Sequence, residues 1–123
     1  MLDELKYITL NGEKYPMAFT LNVMERVQEE YGSLQDWSEA LEPNGSEPKI
    51  KDVIWTFKEF INEGIEIENE KTGENRPLVT HKQAGRLITN IKEVVEAMRD
   101  LTIKSAKSEN PNAQTTQSQT NQQ

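Results

Sequence analysis

Apolar residues recur along this chain with two different periods, and the change from one to the other sets the expected order of elements. From residue 6 to residue 19 the period is two. Asn11-Gly12 is the dipeptide favoured in a two-residue type I′ turn, and it pairs Leu10 with Glu13 and Ile8 with Tyr15. Ile8, Leu10, Tyr15, Met17 and Phe19 then share one face, with Tyr7, Thr9, Lys14 and Ala18 on the other. Pro16 cannot donate a ladder bond, so its strand is expected to expose that position at an edge. An isolated hairpin is marginal in water, so its apolar face needs helices to lie on.

After the hairpin the period becomes three to four, the signature of amphipathic helices. A first helix over about 22–31 opens with the cap pair Asn22 and Glu25, buries Val23, Met24, Val27 and Tyr31, and stops at Gly32. Ser33 caps a second helix over 34–41, with Leu34, Trp37 and Leu41 inward. Residues 43–48 (PNGSEP) form a loop by composition. A third helix over about 49–63 carries Ile50, Val53, Ile54, Phe57, Phe60 and Ile61, with Gly64 as its stop. Both a short hairpin and a loop fit residues 65–78, and the loop is the expectation.

The longest apolar stripe lies in the last helix, read as continuous over 81–104. Thr80 and Gln83 form a capping box at its start. Ala84, Leu87, Ile88, Ile91, Val94, Val95, Met98 and Leu101 follow three or four apart, and no charge interrupts them. Such a helix is unstable alone and must bury its stripe, either in its own core or against a partner chain. The expected fold class is therefore mainly α with an N-terminal β-hairpin (α+β). About four helices make one domain over 1–106, followed by a disordered polar tail over 107–123, where there is almost nothing apolar to offset ordering.

Composition narrows the function classes. The chain has 123 residues, no cysteine and a formal charge of −7, from 21 acidic and 14 basic residues. Thiolate metal sites and cysteine redox chemistry are excluded. The acidic balance and the lack of a basic stripe argue against nucleic-acid binding. No run is long enough for a membrane span, and residues 1–5 (MLDEL) lack the pattern of a signal peptide, so a cytoplasmic protein is expected.

Candidate chemistry is sparse. His81, the sole histidine, falls in the first turn of the last helix, with no cysteine and no G-x-S-x-G serine to pair with. Glu63, Glu66, Glu68, Glu70 and Glu74 form an acidic cluster, but without the ligand order and central glycine of an EF-hand, so a solvated charged loop is expected. Gly73 and Gly85 match neither a P-loop nor a dinucleotide fingerprint. Trp55 is noted as a candidate partner contact; the plainer reading is a ring lying over a neighbouring loop. No catalytic, cofactor or metal residue is assigned, and the expectation is a protein that is not an enzyme.

The order of signals does resemble a known family. The stretch YITLNGEKYP (7–16) runs into FTLN (19–22), a first helix and YGSL (31–34). VIWTF (53–57), a long loop, THKQAGRLI (80–88) and VVEAM (94–98) follow. Over about residues 6–106 this layout is similar to the tail assembly chaperones of long-tailed phages and prophages of Gram-positive bacteria. The resemblance implies a small, helical, non-enzymatic protein that coats the tape measure protein and helps recruit tail tube protein during virion morphogenesis. It further implies action in the host cytoplasm, absence from the mature virion, self-association in many members, and often a longer form made by ribosomal frameshifting. Two other classes fit the residues: a structural tail-completion or head–tail connector protein, and a small acidic regulator of a basic partner.

Overall fold

Asn11 and Gly12 both take positive φ, 53° and 81°, as a type I′ turn requires. The computed structural model describes residues 5–109, with side chains as far as residue 103. The turn joins β1 (Lys6–Leu10) to β2 (Glu13–Met17) in the expected register, Leu10 opposite Glu13 and Ile8 opposite Tyr15. Ile8, Leu10, Tyr15, Met17 and Phe19 are buried, as the alternation predicts. Pro16 and Ala18 depart from expectation, because both are buried where exposure was predicted. The cause is a helix that runs hard against this strand.

That helix is α3 (Ile50–Thr72), far longer than the stretch ending at residue 63. Gly64, read from the sequence as its stop, lies inside it. A Cβ at Gly64 would meet the Pro16 carbonyl carbon and oxygen at 2.5 Å and the Met17 nitrogen at 2.8 Å. Glycine is there to let β2 touch the helix backbone, and the Ala18 N–H donates to the Phe60 carbonyl at 3.1 Å. The helix ends instead at Gly73, in the left-handed conformation at φ 80°. Residues 65–72 are thus helical, not loop, and all but Glu74 of the acidic cluster project from α3.

The rest of the expected loop is an extended strap laid back along α3. The side-chain amide of Asn62 bonds both the N–H and the C=O of Val79, at 2.8 and 3.0 Å. Asn69 does the same for Arg76, at 3.1 and 3.0 Å. Arg76 then reaches the hairpin, bonding Glu13 at 3.0 Å and lying 4.8 Å from the Tyr15 ring centroid.

Helix α1 (Leu21–Tyr31) starts one residue earlier than expected. Its cap is Thr20, whose oxygen accepts the Val23 N–H; the Asn22 side chain goes to Glu63 instead. Helix α2 (Leu34–Leu41) forms as predicted, with Ser33 Oγ accepting the Asp36 N–H at 3.0 Å.

The single last helix is two helices, so the described residues hold five. The Thr80–Gln83 capping box forms, with bonds of 3.1 and 2.8 Å. It opens only the short α4 (His81–Leu87). Ile88 is extended, at φ −82° and ψ 111°. Asn90 Oδ1 then accepts the Glu93 N–H at 3.1 Å and starts α5 (Ile91–Glu109). The apolar spacing continues across this break and conceals it, whereas Asn90 offers the backbone a competing cap. α5 continues past residue 106; residues 110–123 of the expected tail lie outside the described residues.

The core sits where β2, α1, α2 and α3 converge. Phe19, Trp37 and Phe60 form an aromatic trio with centroids 5.2–6.1 Å apart, and Trp37 Nε1 donates to Thr56 Oγ1 at 3.0 Å. Among the described residues no helix is long and apolar enough to cross a membrane.

Candidate functional site

The broken last helix leaves its stripe only partly covered. Val94, Met98 and Leu101 are buried, but Ile91 is 38% exposed; Ile103, which lies off the stripe, is 47% exposed. Across from them, Ile50 was expected to face inward; as the first residue of α3 it is 54% exposed. These three isoleucines border an open groove walled by the end of α2, the 42–49 loop and α5. Its main cavity is about 450 Å³, lined by Leu41, Ile50, Ile91 and Val95 among others. An adjoining hollow of about 220 Å³ shares Leu41 and Val95 and reaches Ile103. From Ile91 to Ile103 the groove follows α5 for about 18 Å, roughly three turns of helix.

Arg99 and Glu42 bridge the groove's rim at 3.4 Å, and both side chains are more than two-fifths exposed. Such a pair contributes little to stability; it frames the apolar floor without closing it. Three of the six exposed large hydrophobic residues in the described chain meet at this groove. Exposed apolar surface that gathers in one place, rimmed by charge, marks an interaction site more often than scattered residues do.

The residues singled out from sequence lie elsewhere. Trp55 is half-buried, packed edge-on against Tyr31 with centroids 5.5 Å apart and planes at 75°; it lies on a ring of α1 rather than over a loop and does not line the groove. His81 is exposed at the first position of α4. The acidic residues are not one solvated loop. Glu63 is 5% exposed and accepts from Thr20 Oγ1 at 2.7 Å, with Arg26 also paired to it. Glu68 accepts the Tyr7 hydroxyl at 2.7 Å. These carboxylates tie α3 to α1 and to the hairpin, and among the described residues no group of acids, histidine or cysteine is arranged to hold a metal ion. Gly85 lies in α4, where a Cβ would touch Ile54.

One partly buried polar contact has a measurable consequence. Tyr31 donates to Asp52 Oδ1 at 2.7 Å. Burial first, then the hydrogen bond and the negative charge of Asp52, raise the phenol far above its ordinary pKa of 10.0. The folded state therefore favours the neutral phenol. Its contribution is intact below the unfolded value and is lost as pH climbs through the folded one. Urea melts should show stability falling above about pH 10, and Tyr31→Phe should make that alkaline fall shallower. An identical alkaline slope in the variant would contradict this assignment.

The signal for the groove was present in the sequence only as apolar residues, indistinguishable from core residues until the helix break was placed. No family model, curated protein or solved structure matches this chain.

Proposed function

We propose that this chain is a phage tail assembly chaperone. In this reading it binds the tape measure protein and assists tail tube assembly without catalysis, in the host cytoplasm, and leaves before the virion is complete. The sequence resemblance over about residues 6–106 supplies the family, and the open groove along α5 is the observation that gives the reading a physical means. A tape measure protein is a long helix with apolar surface to shield, and an amphipathic helix laid in a groove is a common mode of recognition. The net charge of −7 would keep a coated complex dispersed.

The test is co-expression with the tape measure protein. The wild-type chain should keep the tape measure protein in the supernatant and co-purify with it. Ile91→Glu and Ile50→Glu should each cut the co-purified amount severalfold. Both positions are exposed, so neither should change the stability of the chain by more than about 0.5–1 kcal/mol. A wild-type chain that neither dissolves nor captures the tape measure protein, or that mass spectrometry finds in purified particles, overturns the reading. Trp55→Ala, made alongside, tests whether that ring contributes to capture.

A further inference from the structure

The two edges of the β1–β2 ribbon are treated differently by the rest of the fold. In this register Lys6, Ile8 and Leu10 exchange hydrogen bonds with Met17, Tyr15 and Glu13. The backbone groups of Tyr7 and Thr9 therefore point away from β2, and those of Lys14, Pro16 and Ala18 point away from β1. The β2 edge is closed. The Lys14 carbonyl accepts from Arg76 Nη2 at 3.1 Å, Pro16 has no N–H to offer, and the Ala18 N–H goes to Phe60. On the β1 edge, the N–H and C=O groups of Tyr7 and Thr9 have no hydrogen-bond partner among the described residues. The Tyr7 side chain is meanwhile anchored on Glu68, which holds this edge in place and in extended form.

A bare, ordered edge is a template for another strand. We propose that β1 pairs antiparallel with β1 of a second copy, about a two-fold axis through Ile8, to make a four-stranded sheet across the dimer. In that register Tyr7 lies opposite Thr9 of the partner subunit and the reverse, so the four outward N–H and C=O groups of each copy satisfy those of the other. Ile8 meets Ile8 of the partner subunit on the apolar face. Lys6 is the only charge in the strand, and the two-fold sets it opposite Leu10 of the partner subunit, with the two lysines at opposite ends. The pairing is self-complementary in hydrogen bonds, in face and in charge, as an isologous contact must be. A five-residue strand buries less than the roughly 1,000 Å² of a stable interface, so the dimer is weak and concentration-dependent. The proposal does not rest on the chaperone reading.

Amide exchange on the wild-type full chain is the test. The Ile8 and Leu10 amides should be protected at every concentration, because β2 holds them. The Tyr7 and Thr9 amides should exchange freely in dilute solution and slow by about tenfold or more as concentration rises, as local protection by pairing requires. Thr9→Pro removes an outward N–H that β2 does not use. It should abolish the dimer in sedimentation while leaving the far-UV circular dichroism unchanged; if that variant fails to fold, the wild-type exchange pattern decides alone. Free exchange at Tyr7 and Thr9 at all concentrations overturns the proposal, whether the chain is monomeric or dimerises through another face. Protection that appears only when a different protein is added overturns it as well.

Discussion

Gly64→Ala should cost about 3 kcal/mol or more, because overpacking against backbone has no side chain to absorb it. The added carbon would sit 2.5 Å from the Pro16 carbonyl carbon and oxygen and 2.8 Å from the Met17 nitrogen. Relief requires β2 to lift from α3, which breaks the Ala18–Phe60 bond and exposes Pro16 and Met17. The check is the urea midpoint, which should fall sharply. Gly85→Ala is the matched control. Its added carbon would meet only the tip of Ile54, at 3.4 Å, and alanine is favoured over glycine in a helix by about 1 kcal/mol. That variant should be neutral or stabilised. Equal losses at the two glycines would refute the close-approach account of Gly64.

Phe60→Ala should be the other large loss, about 3–5 kcal/mol for an aromatic side chain removed from a packed core. Phe60 is fully buried and is in ring contact with both Phe19 and Trp37. Trp55→Phe, by contrast, should cost less than about 1 kcal/mol, since it trades one half-exposed ring for another and keeps the edge contact with Tyr31. Calorimetric or urea melts separate the two, and fluorescence adds an internal check. Trp37 emission should change in Phe60→Ala, because the indole loses the ring beside it. A melt showing Trp55→Phe as costly as Phe60→Ala would contradict a core centred on Phe19, Trp37 and Phe60.

The hairpin and α2 could be read from sequence because their signals are local: a turn dipeptide, a strict alternation, a serine cap three residues before an acid. α3 could not be read to its end, because Gly64 has two meanings. A glycine after an apolar stripe usually stops a helix; here it admits a neighbouring backbone, and only the position of Pro16 in space distinguishes the two. The break between α4 and α5 failed for the opposite reason. Asn90 caps α5 by accepting the Glu93 N–H, but the apolar repeat runs on across it without interruption and gives no sign of a break. Two of the groove's isoleucines, Ile50 and Ile91, are therefore assigned to the interior from sequence as members of apolar stripes, and Ile103 is assigned to neither face. Buried Glu63 was likewise unreadable, since its partners Thr20 and Arg26 lie some forty residues away in sequence.

The asparagine clamp has a metrical consequence. Asn62 and Asn69 stand seven residues apart on a helix, about 10.5 Å along its axis at 1.5 Å per residue. The residues they hold, Val79 and Arg76, stand three apart in an extended chain, about 10 Å at 3.3–3.4 Å per residue. Two rulers of different gauge coincide at both marks. Lengthening or shortening the chain by one residue between Arg76 and Val79 would put the second mark out of step, whereas the stretch from Gly73 to Asn75, before the first mark, tolerates added length. The spacing of two amide side chains thereby fixes how many residues this crossing can contain.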